Sequence, residues 1–587
     1  MPDIDFRITS ADYIYLDFDY DKELVNYVKE NIPGRKYVKR SKEWKFKLNR
    51  NSLPDFLKFL QDWDLDKSDV PRSIQNRMES IIKEAKKVEK QKEKNKRLAE
   101  KDEVEDFKVY GLAQGMNPYP FQEVGIKYAV ENKNVIIGDE PGLGKTVESI
   151  AAMHKQDAYP VLVVCPASLK DNWKREWNMW LPRKTAKVQH SSEGLDLRAR
   201  VCIINYDILW KYRKKLREHD WGGLILDESH YVKNGSAKRS KAARQIARRI
   251  DGPKILLSGT AVVNRPKELI NQLKIIDRFE EEFGGFYPFV KRYCDAEQTR
   301  WGLDYDGASN VKELHERLKK LCYIRRNKKE VLEDLPDKQR SYIEFDIDNR
   351  KEYDVAEEDL AAHLRKQEIT DEDFLEKIES LDALEQQEKI RKEYGANEIS
   401  GYAEKLMKLA ELRKLASKGK LKKAKRWIKD FLKSGEKLVL FAHHKFVIQE
   451  IVDEFDALKI DGSVPVEDRQ DVVDKFQNDD SEKVIVLNIQ AGGTGLTLTE
   501  SSNVVFLELP WTPAEVSQAE DRCHRIGQED SVNVYFLLAK ETIDKDMFEV
   551  LKKKRIVTEQ INAGKDITDE EGNVVKGVIK KITDRQS

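Results

Sequence analysis

Gly138-Asp139-Glu140-Pro141-Gly142-Leu143-Gly144-Lys145-Thr146 is the stretch most capable of chemistry, set between the apolar run Val135-Ile136-Ile137 and a helix-like run from Val147 to Met153. A polyphosphate must be met by several backbone N–H groups at close range, beside the positive end of a helix dipole. Gly142 and Gly144 keep side chains out of the way, Lys145 has the length and charge to reach the β and γ phosphates, and the Thr146 hydroxyl suits a magnesium ion. Asp139 stands where the general phosphate-loop pattern has its first glycine. A strand-to-helix turn whose glycines serve packing alone is the competing reading. Further along, Asp227-Glu228-Ser229-His230 closes the apolar run Leu224 to Leu226, putting two carboxylates at the C-terminal end of a strand, where ligands of open α/β sheets bind. Asp227 would hold magnesium, and Glu228 would orient and deprotonate the water attacking a γ phosphate. Near the other end of the chain, Arg522 and Arg525 lie three residues apart, on one helical face, where both can point at a phosphate held elsewhere. Surface arginines pairing with Glu520 or Asp521 are the alternative there.

These residues need a scaffold, and the apolar runs supply one. Val161 to Cys165, Val201 to Ile204, Leu224 to Leu226 and Ile255 to Leu257 alternate with helical segments, the pattern of a parallel sheet covered on both faces. A second series follows: Leu438 to Phe441, Leu458 to Ile460, Val484 to Leu487, Val504 to Leu507 and Val534 to Leu538. The expected fold class is α/β with two RecA-like lobes, 116–266 and 421–560. Between them, 267–420 reads as helical insertions and not as a sheet, with a charged helix through Leu375 to Tyr394. Residues 1–70 read as a small α+β unit, 71–115 as a charged helical spacer, and 561–587 as a polar tail.

With 587 residues, 40% hydrophobic and 36% charged, the chain has room for several globular domains, and no apolar run approaches the ~18 residues of a membrane span. Five scattered cysteines without a CxxC pair read as reduced core thiols, and nine histidines form no ligand cluster. The 106 basic and 106 acidic side chains balance, but 351–400 holds 16 acidic against 7 basic, leaving the rest of the chain basic. Zero net charge therefore does not exclude a nucleic-acid partner. In the N-terminal unit, aromatic residues interleave with Arg35, Lys36, Lys39, Arg40, Lys42, Lys45 and Lys47, a pattern suited either to a nucleic-acid backbone and exposed bases or to an ordinary solvated sheet.

Phe121-Gln122, the loop DEPGLGKT, PASLKDNWKREW, DESHYVKN, SGTAVVNRP, VLFAHH and the long run from Asn488 to Gln528 occur in this order. Together they resemble the ordered motifs of the Swi/Snf-type superfamily-two DNA translocases. The wording of LTLTESSNVVFLELPWTP and QAEDRCHRIGQ is similar to the annealing-helicase branch, and Ile32 to Leu48 resembles its HARP domain, with Gly34, Arg35, Tyr37, Trp44 and Phe46 on the pattern. Asp139 in place of glycine is usual in that family. The resemblance implies a DNA-dependent ATPase using ATP and Mg2+, acting on double-stranded or branched DNA in repair or replication, expected to be monomeric, with no membrane partner. It would sit in the nucleus of a eukaryote, or in the cytoplasm and nucleoid of a bacterial or viral system. It implies nucleotide contacts from Gln122, which would read the adenine, from Asp139 through Thr146, and from Gly495. DNA contacts would come from Ser168, Lys170, Gly493, Thr494, Arg35 and Trp44. Displacement of DNA-bound proteins and a DNA-binding scaffold with a decayed ATPase are the rival readings. Ala261 stands where the family usually has proline.

Overall fold

The N-terminal unit is an antiparallel sheet of β1 (Ile4–Ile8), β2 (Tyr13–Phe18), β3 (Lys36–Val38) and β4 (Glu43–Lys47), in the order β1-β2-β4-β3. The two-residue period of the strands sends Phe6, Ile14, Leu16 and Phe46 inward against α1 (Lys22–Asn31) and α2 (Leu53–Asp62). Asp21 caps α1 by accepting from the Leu24 N–H at 2.8 Å. The outer face carries Arg7, Tyr13, Tyr15, Lys45 and Lys47, which pair across the strands. The computed structural model describes every residue except 1–3, 33, 191–193, 260–265, 300–301, 306, 333–334, 367–400, 466–467, 490–495, 563–577, 579–580, 583–584 and 586–587.

The charged stretch after Pro71 does form a long helix, α3 (Arg72–Ala99), but it is no free spacer. Ile74, Met78 and Ile81 belong to the core of the N-terminal unit, and at the far end Asn95 donates to Asn132 Oδ1 at 2.6 Å and to the Lys320 carbonyl at 3.0 Å. A few apolar and amide positions at its two ends convert a solvated helix into a strut between the unit and the first lobe.

Lobe one is a seven-stranded, wholly parallel sheet. Its strands are β5 (Asn134–Ile137), β6 (Val161–Cys165), β7 (Ala186–Val188), β8 (Val201–Asn205), β9 (Gly223–Leu226) and β10 (Lys254–Leu257). After a hairpin of β11 (Glu297–Thr299) and β12 (Gly302–Asp304), the edge strand β13 (Tyr323–Ile324) joins it, giving the order β13-β5-β10-β9-β6-β8-β7. The helices α4 (Pro120–Asn132), α5 (Lys145–Lys155) and α6 (Lys170–Trp180) help cover it, and the two faces carry separate apolar cores. Lobe two is a six-stranded parallel sheet of β14 (Lys338–Phe345), β15 (Leu438–Ala442), β16 (Leu458–Ile460), β17 (Val484–Asn488), β18 (Asn503–Phe506) and β19 (Val532–Ala539), ordered β14-β19-β18-β15-β17-β16. Both lobes are RecA-like.

The expectation of helices alone through 267–420 is corrected here. That stretch supplies an edge strand to each lobe: β13 pairs with β5, and β14 pairs with β19 along its whole length. Lys338–Phe345 (KQRSYIEF) lacks the apolar run of a central parallel strand because an edge strand with a wet face buries little of itself. The sheet of lobe two therefore begins well before residue 421. The expected helix through Leu375 to Tyr394 and most of the tail lie outside the described residues.

Candidate nucleotide site between the two lobes

The glycine loop runs from the end of β5 to the first turn of α5. Gly142 and Gly144 take positive φ angles of 91° and 84°, the left-handed region that L side chains rarely adopt. Gly144 is the N-cap of α5, so the helix N–H groups open towards the concave side of the loop. Lys145 folds back over it, its ammonium donating to the carbonyl of Asp139 at 2.6 Å and of Glu140 at 3.2 Å. Burial lowers its pKa, while Glu228, Asp139 and Asp227 oppose that shift. Thr146 is the next residue of α5, and Ser149 Oγ donates to its carbonyl at 2.8 Å.

Two residues expected at the nucleotide turn out to hold the loop itself. Asp139 is fully buried: Oδ1 accepts the Arg326 backbone N–H at 2.9 Å, and Oδ2 meets the Arg326 guanidinium. The same guanidinium bonds both oxygens of Glu148 on α5 at 2.7 Å and also donates to the Phe121 carbonyl. The Asp139 side chain is thus held in a buried triad with Arg326 and Glu148. An aspartate fits where other phosphate loops have glycine because Arg326 is there to receive it. Gln122 is buried too, with Oε1 accepting the Tyr119 N–H and Nε2 donating to the Leu143 carbonyl, each at 2.9 Å. What its amide holds in this structure is the loop.

Asp227 and Glu228 stand at the end of β9, as the apolar strand before them requires. Asp227 Oδ2 accepts the indole N–H of Trp173 on α6 at 2.8 Å, and Oδ1 accepts the Glu228 backbone N–H at 2.9 Å. Burial, reinforced by the Glu228 charge, raises its carboxyl to about 6. Glu228 occupies the left-handed region at φ 49°, strained for a side chain with a Cβ and concentrated at functional sites. Burial works to raise its pKa, but His230, Lys145 and Arg522 outweigh it and the net shift is downward. Glu228 Oε2 lies 3.3 Å from His230 Nδ1, yet both atoms are buried without a hydrogen-bond partner among the described residues.

Arg522 and Arg525 cross from lobe two into this cleft. A Cβ placed on Gly142 would stand 3.2 Å from Arg525 Cγ. Burial and mutual repulsion lower the Arg522 pKa, with Glu228 opposing, and burial lowers that of Arg525 against Asp521 and Glu176 of α6. Arg525 Nη1 is held by the Leu496 carbonyl at 3.1 Å and Thr497 Oγ1 at 2.8 Å. Two buried cations side by side are a seat for an anion. Their neighbours Glu520 and Asp521 are occupied elsewhere, by Arg340 and Lys338 and by Lys328 and Lys338.

Arg326 and Lys328 belong to no motif legible in residue type, whereas Trp173 lies within PASLKDNWKREW. A buried Trp needs a partner for its N–H, and the partner of Trp173, Asp227, stands 54 positions away, a pairing only the fold makes. Among the remaining expectations, Glu140 accepts the Lys328 backbone N–H at 2.9 Å, Pro141 would meet a Cβ on Gly259 at 2.8 Å, and Leu143 is buried. Ser168 is half-buried in the turn before α6. Lys170, expected at DNA, is buried in this structure, and its ammonium donates to the Gln189 carbonyl at 3.2 Å. Arg35 is exposed, whereas Trp44 is half-buried at the edge of its unit's core, 5.1 Å from the exposed Tyr37 ring. Gly493, Thr494, Gly495 and Ala261 lie outside the described residues. The five cysteines are free and buried, and no cluster able to hold a metal through three or more His, Cys, Asp or Glu residues occurs among the described residues. No described helix is long and apolar enough to cross a membrane.

A two-lobed cleft of this kind has counterparts among known proteins. The SNF2-related domain model matches residues 37–393, and the helicase conserved C-terminal domain model matches residues 419–527. The chain belongs to the SNF2-related family. The SWI/SNF-related matrix-associated actin-dependent regulator of chromatin subfamily A-like protein 1 of Xenopus tropicalis is 32% identical over 568 residues, 93% of this chain and 54% of that protein. The DNA annealing helicase and endonuclease ZRANB3 of Bos taurus is 34% identical over 463 residues, 75% of this chain and 40% of that protein. This SNF2-family chain thus spans about half the length of the curated relatives it matches. The Sulfolobus solfataricus SWI2/SNF2 ATPase core in complex with dsDNA is 22% identical, with a TM-score of 0.37 over 78% of this chain and 96% of that one.

Proposed function

We propose that this SNF2-family chain is a DNA-dependent ATPase that moves along double-stranded or forked DNA and remodels or anneals it. The observation that carries the reading is the meeting of Arg522 and Arg525 from one lobe with Lys145, Asp227 and Glu228 of the other across the glycine loop. The residues present fit a nucleoside triphosphate with a divalent cation: two left-handed glycines leave room for phosphate, Asp227 and Glu228 offer buried charge for a cation, and Glu228 Oε2, 3.3 Å from His230 Nδ1, makes no hydrogen bond among the described residues. ATP with Mg2+ would supply an electrophilic γ phosphorus whose negative charge must be neutralised as the bond to the leaving group breaks.

Lys145 would exchange the Asp139 and Glu140 carbonyls for phosphate oxygens. The Thr146 hydroxyl and Asp227 would hold the cation, with Trp173 fixing the Asp227 carboxylate. Glu228, ionised because His230, Lys145 and Arg522 favour its charge, would accept the proton of the attacking water. Arg522 and Arg525 would steady the charge on the transferring phosphoryl group, a contribution on the order of 10³ to 10⁵ in rate for an arginine finger. Since the arginines belong to lobe two, hydrolysis depends on closure of the lobes. DNA as the ligand that governs closure is supported by the relatives whose names describe DNA annealing helicases.

The N-terminal unit would engage the branched part of the DNA, like a HARP domain. Its outer face offers the Arg7 guanidinium 3.7 Å above the Tyr15 ring and the Lys45 ammonium 5.1 Å from the Tyr13 ring, with Arg35 exposed nearby in sequence to the Tyr37 and Trp44 pair. The test is ATP hydrolysis measured with single-stranded, duplex and forked DNA. Wild-type protein should be stimulated most by duplex or forked DNA, and Lys145→Ala should lower the stimulated rate by about a hundredfold or more. Wild-type turnover in Lys145→Ala would show the site to be misassigned.

A further inference from the structure

Three parts of the chain converge on Gly142. A Cβ there would stand 3.3 Å from both Cε and Nζ of Lys328 and 3.2 Å from Arg525 Cγ, so the loop, the segment leaving lobe one and the arginine segment of lobe two meet where the loop has no side chain. Lys328 is fastened to both sides of that meeting. Its backbone N–H donates to Glu140 Oε2 of the loop at 2.9 Å. Its ammonium donates to Asp521 Oδ1 at 2.6 Å and to the His524 carbonyl, and lies 3.3 Å from His524 Nδ1.

The residues before it follow the loop in step. Arg325 Nη1 donates to the Gly138 carbonyl at 2.8 Å, Arg326 grips Asp139, and the Glu140 N–H donates to the Arg326 carbonyl at 3.1 Å. Any shift of the loop is therefore transmitted to Lys328. On the other side, Asp521 and His524 alternate in sequence with Arg522 and Arg525, within a tight turn where the Arg525 N–H donates to the Cys523 carbonyl at 3.2 Å. His524 Nε2 is anchored on the Pro336 carbonyl at 2.8 Å, and Lys338 also reaches Asp521 at 2.7 Å. Burial pushes the Lys328 ammonium down to about 8, against the pull of Asp521. Desolvated to that degree, it has no water to fall back on and stays with these acceptors.

We propose that Lys328 is a positioning residue that carries the placement of the phosphate loop to Arg522 and Arg525 and so couples the loop to lobe closure. This rests on the reading of the cleft as an ATP-hydrolysing site. A general structural role for a buried ion pair would lower stability without singling out the arginines. Transmission to the arginines makes its effect depend on them.

The experiment combines turnover with a lobe-distance measurement on the full chain. Lys328→Met keeps the apolar stem and removes the charge. DNA-stimulated kcat should fall about tenfold to a hundredfold while KM for ATP stays within about twofold, the range of a typical coupling between sites. In an Arg522→Ala, Arg525→Ala background the same substitution should cost less than about threefold further, because both residues it serves are gone. Fluorescence transfer between dyes at Tyr287→Cys and Lys433→Cys reads the lobe separation without reference to turnover. Both positions are exposed, and the five native cysteines are buried. Lys328→Met should lengthen and broaden that distance in nucleotide-free protein. An equal fold-loss in both backgrounds, or an unchanged distance, would overturn the proposal. A wild-type chain that hydrolyses no ATP with any DNA, but opens on Lys328→Met, would uphold the contact and overturn only the functional reading of the cleft.

Discussion

Replacing Arg326 with Met is the most demanding check on how the loop is held. The guanidinium sits between two carboxylates with no exposed side-chain surface, Asp139 and Glu148, and is itself 4% exposed. Burial already raises the Glu148 carboxyl well above the usual range, and Arg326 is the principal group opposing that shift. Removing one partner of a buried ion pair costs about 3–5 kcal/mol, since the remaining charge has neither water nor counter-ion. The loss should lie at the lower end of that range, because one of the two acids can take up a proton and Asp139 keeps the Arg326 backbone N–H. This gives a pH signature. With the cation gone, the folded-state pKa of Glu148, already raised by burial, rises further, so stability falls as pH rises from the unfolded value of about 4 through the raised folded value. Urea unfolding followed by tryptophan emission is weighted towards lobe one, where Trp173, Trp177 and Trp180 lie in one core and Trp221 in the other. Arg326→Met should be destabilised by about 3 kcal/mol at pH 7.5, less at pH 5, and Asp139→Asn with Glu148→Gln should recover much of it. A loss under about 1 kcal/mol, or one independent of pH, would refute the claim that the triad holds the loop.

Two further substitutions probe the site and its support. Gly144→Ala forces a Cβ into a φ of 84° and to within 2.2 Å of Gln122 Nε2, which must release the Leu143 carbonyl. Backbone strain of about 1–2 kcal/mol should appear as a tenfold or larger loss of affinity for a fluorescent ATP analogue, and wild-type affinity would contradict the cradle geometry. In lobe two, burial and the nearby Arg413 lower the His443 imidazole to about 3, while Glu508, held by His444, Ser417 and Arg413, lies far below the usual carboxylate range despite its own burial. Both shifts favour the folded state at neutral pH. The His443 contribution is fully present above its unfolded pKa of about 6.5 and is lost as pH falls towards 3, up to a few kcal/mol in all. His443→Gln should therefore flatten the fall in the urea midpoint between pH 7 and pH 5, and an unchanged slope would count against the shift.

Residue types and spacing were enough to mark the loop, the strand-end acids and the pair of arginines as candidates, because each of these is a local pattern: an apolar run, then glycines or acids, or two like charges three residues apart. The helical face expected for the arginines is corrected, since the helix Pro513–Glu520 ends before them and both lie in the turn that follows. The same periodicity marked most of the strands of both lobes and α1 of the N-terminal unit. Edge strands were illegible for the opposite reason. β13 is two residues long and β14 is exposed over four residues in a row, from Gln339 to Tyr342, so neither shows the apolar run that burial on both faces imposes.

Sequence by itself thus determined which chemical groups this chain possesses and that they fall on two separate sheets. Only the tertiary structure decided what those groups are doing. Asp139 and Lys170 look like ligand contacts in a linear motif, yet one is buried against Arg326 and the other under Gln189. Arg326 and Lys328 look like two more charges in a basic stretch, yet the first holds the loop within lobe one and the second ties it to lobe two. Charge and hydrogen-bonding capacity are written in the side chain, but desolvation and the choice of partner depend on residues nearly two hundred positions away, brought within 3 Å by the pairing of β13 with β5 for Arg326 and by the packing of the two lobes for Lys328.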